Sequence, residues 1–377
     1  MDKEYNRIVL IGNGFDKALG LKTSYSDFIL NYLREAAIEA FCNETYNTEL
    51  ITLKLKIPSE DIIQELNGCK TIEEALVIIK EAFEISYKYD FLEDIVANFV
   101  DARWVNIEQY YYDTLRHEFR SYKDQSEKVK DQTNILALNN CMDKLTVALN
   151  NFIREQQITI SLEHIDSLSS LIDSIGEPLR LKISKLVKKH HRQNAPSEVL
   201  FLNFNYTNTV QQIINNSFVK GNNKHLFIHG TVNDEENPII FGYGDDTGED
   251  YKELELEVEG RYELLRKIKS FQYPKTHNYH NLLNHLETSE FDVFVVGHSC
   301  GLSDKTLLKT IFEHPNCLAI QNFHYKDNGE QEDFNKRIEI SRHFSDKILM
   351  RERVLPYDKF ASIPQIQQKK RANRDGQ

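Results

Sequence analysis

A short apolar run, Ile8-Val9-Leu10-Ile11, stops abruptly at Gly12-Asn13-Gly14. Such a run marks a strand buried on both faces of a parallel sheet. Two glycines around one small polar residue let the backbone turn tightly and come close to a neighbour. A helix starting near Phe15 would leave unpaired N–H groups over the turn, where an anion is favoured. Strand, Gly-x-Gly and helix are the least that can hold a nucleotide phosphate; they equally make a plain tight turn. Lys17 stands where the third glycine of a dinucleotide fingerprint belongs. After Thr23-Ser24-Tyr25-Ser26, a second helix is expected from about Asp27, carrying Phe28, Leu30, Leu33 and Ala36.

From there to about Asn194 the chain reads as almost wholly helical. Thr71-Ile72-Glu73-Glu74 is a capping box before a stripe of Ile72, Leu76, Ile79 and Phe83. Trp104, Ile107, Tyr111, Leu115 and Phe119 make a second stripe. Ile135, Leu138, Met142, Leu145, Leu149 and Phe152 form a seam spaced three and four apart. Ile165 to Ile175 makes another, closed by Gly176 and Pro178. These read as the core of a helical subdomain, although the seam suits a second copy of the chain as well as its own interior. The run from Lys185 to Arg192 suits a solvated helix end.

The character changes at Pro196. Val199–Leu202, Leu226–Ile228, Ile239–Phe241, Val293–Val296 and Cys317–Ile320 read as strands, with helices expected between them. Strands alternating with helices mean an α/β parallel sheet. The first strand is cut off from the others by the helical block. The expected layout is therefore one α/β nucleotide-binding domain (residues 1–30 and 195–360), a large all-helical insertion or cap (31–194) between its first two strands, and a basic flexible tail (361–377).

Composition bounds the function classes. A net charge of −12 argues against a sequence-independent nucleic-acid binder, which needs a basic face. No apolar run approaches the roughly 20 residues that span a bilayer, and no secretion signal precedes the first strand. A cytosolic (cytoplasmic) protein without membrane contact is expected. Five scattered cysteines without a CxxC pair indicate neither a zinc site nor a disulfide framework, and no metal is expected. Asp245-Asp246, an adjacent acidic pair, reads better as loop than as a nuclease metal site.

Four strands end in polar clusters: Gly12-Asn13-Gly14, Asn203 to Thr207, His229-Gly230 and Gly297-His298-Ser299. Ligands of open α/β sheets bind outside the carboxyl ends of the strands, so all four should converge on one crevice. Each residue also has a plainer role available. Asn205 suits a helix cap, His229 a backbone-bonded buried histidine, Asp304 a helix start, and His298 a cleft wall.

Gly-Asn-Gly-Phe-Asp (12–16), Leu-Lys-Thr-Ser-Tyr-Ser-Asp-Phe (21–28), Trp-Val-Asn-Ile-Glu (104–108), Asn-Phe-Asn-Tyr-Thr (203–207), Ile-His-Gly (228–230), Phe-Gly-Tyr (241–243) and Gly-His-Ser-Cys-Gly-Leu-Ser-Asp (297–304) resemble the bacteriophage abortive infection AbiH family. The same order of motifs is more distantly similar to sirtuin-like, Rossmann-type NAD-binding domains, with Gly12, Gly14, Gly20 and Phe28 fitting the first part and Gly297, Ser299 and Asp304 the last. The resemblance implies an antiphage defence protein that hydrolyses NAD, its substrate, or a related nucleotide. Asn205 and His229 would be the catalytic pair of this NAD glycohydrolase. Gly12, Asn13, Gly14, Asp16, Thr23, Tyr25, Phe28, Tyr206, Gly297, His298, Ser299 and Asp304 would hold the nucleotide. Asp16 or Glu108 would steady a cationic ribose. Ile29 replaces the sirtuin-type arginine, and no cysteine quartet is present, which disfavours protein deacylation. A phage-encoded trigger or partner protein and a homo-oligomer fit the same picture. The competing reading is a sensor that binds ADP-ribose or another nucleotide without turnover and signals through the helical block.

Overall fold

The computed structural model describes residues 5–59, 61–102, 106–124, 131–179, 195–216, 222–232, 234–244, 248–257, 262–325 and 329–365. Trp104, the 185–192 basic run, Asp245-Asp246 and the tail beyond residue 365 lie outside them. The strands are β1 (Asn6–Ile11), β2 (Thr45–Asn47), β3 (Ile51–Leu55), β4 (Phe83–Tyr87), β5 (Glu198–Asn203), β6 (Asn222–Phe227), β7 (Phe291–Val296), β8 (Cys317–Tyr325) and β9 (Ser362–Ile363). Six of them form one sheet in the order β6-β5-β1-β7-β8-β9, every pair parallel. The protein is thus α/β, as its alternating pattern demands.

The sheet is buried on both faces, which explains the unbroken apolar runs of β1 and β7. Ile8, Leu10, Leu200, Leu202, Val293 and Val295 pack against the helices Asn278–Thr288, Lys305–Phe312 and Gly329–Ser341. The alternate residues Val9, Ile11, Val199, Phe201, Phe294 and Val296 pack against Asn13–Ala18, Leu162–Gly176 and Thr209–Asn216. From β1 the chain moves out to β5 and β6, returns across β1 to β7, and continues to β8. The direction of travel reverses between β1 and β7, and ligand crevices of open sheets form at such a reversal. Leu226, Leu202, Leu10 and Val295 stand level across four adjacent strands, so their polar carboxyl ends emerge side by side.

One arginine ties the sheet to a helix. Arg7 is wholly buried in β1, paired with Asp292 of β7 at 2.8 Å and stacked on Phe294 at 3.8 Å. Its Nη1 also donates to the carbonyls of Ile175 and Glu177, both at 2.7 Å, at the end of helix Leu162–Gly176. A last-turn carbonyl is a natural partner for a cation.

The region between β1 and β5 is not all-helical. β2, β3 and β4 form a small antiparallel sheet, because Ile51-Thr-Leu-Lys-Leu55 and Phe83-Glu-Ile-Ser-Tyr87 alternate apolar and polar with period two. The two cores interleave along the chain. Leu168, Leu171, Ile172 and Ile175 belong to the core of the sheet, whereas Val232, Phe241, Tyr243, Tyr251 and Ile268 join the core of the helical block. Ile239–Phe241 is no strand; Ile240 N donates to His229 O, folding this segment back over the turn after β6. Helix Tyr25–Asn43 starts two residues earlier than expected, at a Ser24–Asp27 capping box.

Candidate functional site

At the reversal point the glycines of β1 and β7 interlock. A Cβ on Gly12 would strike the His298 backbone, one on Gly14 would lie 2.7 Å from Gly297 O, and Gly297 has φ +71° against Phe15. Gly14 N donates to Gly297 O at 2.9 Å and Gly12 N to Val296 O at 3.2 Å. The glycine pattern is therefore required by backbone closeness between two strand ends. The N–H groups of Gly12 and Gly14 are engaged inside the protein. Tyr325 closes the same spot by donating to Gly14 O at 2.5 Å.

Beside this joint lies a buried charge cluster. Lys269 Nζ donates to Asp304 Oδ1 at 2.7 Å and to Glu108 at 3.0 Å, with its side chain 0% exposed. Burial penalises all three charges, but the two carboxylates hold Lys269 above its ordinary range, and Lys269 with His229 holds Asp304 well below its own. Glu108, the second carboxyl on one ammonium, is pushed up by burial and by the Asp304 charge against the pull of Lys269. Asp304 occupies the first turn position before helix Lys305–Phe312, yet its side chain makes no cap. The carboxylate instead receives His229 Nε2 at 3.2 Å and His298 Nε2 at 3.4 Å.

The two histidines differ in what they have left. Cys300 N donates to His298 Nδ1 at 3.0 Å, which fixes the proton of His298 on Nε2 and fills both ring nitrogens. Cys300 reaches that position with a left-handed backbone, φ 56°. His229 Nδ1 has no hydrogen bond among the described residues. With Nε2–H directed to Asp304, Nδ1 is the unprotonated acceptor. Burial and the charge of Lys269 push His229 down to about 4, so it is neutral at pH 7. Phe204 packs edge-on to His229 at 5.1 Å and against His298 at 4.1 Å.

Asn205 follows Phe204. Its Nδ2 donates to Gly12 O at 3.1 Å and its backbone N–H goes to Asn203 Oδ1, while its Oδ1 has no partner among the described residues. Asp16 lies beneath, accepting from Thr207 Oγ1 at 2.7 Å; burial raises it to about 6, and Oδ1 is buried without a hydrogen bond. Tyr206 donates to Ile240 O, and Tyr25 packs on Phe241 at 5.7 Å. Burial and the charge of Glu108 raise both phenols. Thr23 donates to Asn13 Oδ1 at 2.5 Å. Ser299 is exposed and, among the described residues, accepts a single 3.4 Å bond, from Gly301 N. Phe28 sits elsewhere, 1% exposed in the core of the helical block against Phe152, because it lies on the inner face of its helix.

The strand ends thus bring Gly12, Asn205, His229, Gly297, His298 and Asp304 into one joined cluster. Glu108 arrives from the first turn of helix Ile107–Lys123, whose cap is Asn106. Lys269 and Tyr273, whose hydroxyl is 3.5 Å from His229 Nε2, were not expected at all. They come from short 3-10 turns, where Gly242 admits the Lys267 backbone and Gly244 admits Ser303 and the Lys269 side chain at close range. The available signal was one lysine between Ile268 and Phe271, in a stretch with no helical period.

Fold and cluster define an α/β protein with a histidine–aspartate–lysine–glutamate site at the reversal point of a parallel sheet. The family model described as bacteriophage abortive infection AbiH matches residues 8–325, and the chain belongs to that family. That membership points to a role in abortive infection by phage. Comparison with curated proteins finds no match. No helix among the described residues is long and apolar enough to cross a membrane.

Proposed function

We propose that this protein acts in phage abortive infection by hydrolysing the N-glycosidic bond of NAD or a related nucleotide. The strand order 3-2-1-4-5-6, counted along the sheet, supports a Rossmann-type, sirtuin-like reading of the domain. The observation that carries the chemistry is His229: held through Nε2 by Asp304, neutral at pH 7, with Nδ1 open. Water attacks ribose C1′, the C1′–N bond breaks, and nicotinamide leaves with the bonding pair. The proton of the attacking water passes to His229 Nδ1. Asn205 Oδ1, its amide fixed by Gly12 O, orients that water or a ribose hydroxyl. Asp304 keeps the ring in the productive tautomer, and Phe204 excludes solvent. Glu108, spent on Lys269 and Gly242 N, serves as a support of the cluster.

The test is nicotinamide release by purified protein and NAD loss in infected cells. His229→Ala should lower the rate by about 10²–10⁴-fold, and Asn205→Ala should lower it too. Full toxicity in both variants overturns the enzymatic reading. The sensor reading has one observation in its favour: Lys269 links Asp304 to Glu108 on helix Ile107–Lys123, so a ligand at the strand ends acts directly on the helical block. Saturable ADP-ribose binding without product over hours would select it.

A further inference from the structure

A nucleotide diphosphate needs donors and positive charge, and the usual suppliers are taken. The N–H groups of Gly12 and Gly14 are bonded within the protein, and the helix after them has only six residues. Lys269 is matched by two carboxylates, and Arg337 is held by Asp333 at 2.9 Å. Lys336, on helix Gly329–Ser341, is different. Its ammonium donates to His298 O at 2.5 Å, at the residue whose Cα a side chain on Gly12 would strike. It makes no ion pair among the described residues, is half-buried, and keeps two N–H donors. Asn13, between the two interlocked glycines, gives its Oδ1 to Thr23 and keeps its amide N–H pair outside any hydrogen bond among the described residues. One cation and one amide thus flank the joint between β1 and β7.

We infer that Lys336, with Asn13, is the phosphate-recognition site of this protein and that its ligand is a phosphate-bearing nucleotide, not a nucleoside. The inference rests on the nucleotide reading of the strand ends, but not on turnover. Lys336 supplies the charge that backbone N–H groups provide in a glycine-rich phosphate loop, and it acts on binding while His229 acts on bond cleavage.

The experiment is calorimetric titration of the full chain with ADP and, separately, adenosine. Wild type should bind ADP. Lys336→Gln should weaken ADP by about tenfold or more, the effect of losing one charged hydrogen bond, and leave adenosine unchanged. Lys336→Arg should retain most of the ADP affinity, and Asn13→Ala should lose part of it. Circular dichroism and the melting temperature check the fold, and Lys336→Met, which keeps the apolar stem, replaces Lys336→Gln if that variant unfolds. Equal ADP affinity in wild type and both neutral variants overturns the inference, as does equal loss of ADP and adenosine or no ADP binding by wild type. Lys336-dependent ADP binding without NAD cleavage leaves the inference standing and sinks hydrolysis alone; cleavage with Lys336-independent ADP binding does the reverse.

Discussion

His229 and Asp16 are both buried and both titrate away from their ordinary ranges, in ways with opposite consequences. His229, near 4, has its free base across the neutral range. Hydrolysis rates should therefore be flat from pH 8 to about 5.5 and fall as the ring protonates towards 4, measured as initial nicotinamide release in a constant-ionic-strength buffer. Asp16 is held at about 6 against 3.8 in an unstructured chain. Its folded form binds a proton more readily than its unfolded form, so its contribution to stability is complete below pH 3.8 and is lost as pH rises through 6. That loss amounts to about 3 kcal/mol. Asp16→Asn should raise the urea midpoint at pH 7.5 and lose that advantage near pH 4. The histidine and the asparagine were legible because each lies two residues beyond the end of its strand, where the chain leaves the carboxyl edge of the sheet. Lys269 was not, since a buried lysine carries no periodicity; only the pair of carboxylates around it reveals why it is tolerated.

At the scale of elements, the joint between β1 and β7 is the most demanding contact. Gly297→Ala adds a Cβ against Phe15 N in a left-handed backbone, and Gly12→Ala pushes on His298. Each should cost about 1–3 kcal/mol by overpacking and strain, read as a lower denaturation midpoint. Gly68→Ala, with open space around its Cβ, is the control and should not destabilise. The sequence announced Gly12 and Gly14 as a loop of special backbone and was right about closeness, but the near neighbour is another strand end. A pattern of glycines records that something approaches, without recording what. The antiparallel sheet β2-β3-β4 was missed for a different reason. Its strands are three to five residues long and stand among helices, so a few alternating positions were absorbed into the dominant period. The Thr71 capping box, by contrast, is local chemistry and appears as read, with Thr71 Oγ1 accepting from Glu74 N.

For the whole molecule, the buried ion network is the seam between its parts. Lys269→Met leaves Asp304 and Glu108 facing one another without a cation, and should destabilise by about 3–5 kcal/mol. Glu108→Gln removes one of two carboxylates and should cost less; the two variants are compared by thermal and urea unfolding. Chain order predicted an α/β sheet, because short apolar runs such as Ile8–Ile11 and Val293–Val296 are bounded by turn residues and alternate with helical stretches. Which helices belong to the sheet was not legible: Leu168 and Ile172 have the same spacing as the stripes that pack elsewhere. Arg7 shows what that means for modularity. Its guanidinium lies inside the sheet but is satisfied by Asp292 together with carbonyls at 175 and 177, so the strand and the end of helix Leu162–Gly176 share one set of hydrogen bonds. A chimera that exchanges the block with a relative must transfer Arg7, Asp292 and the Ser174–Glu177 bend together, or it leaves a buried cation with half its partners.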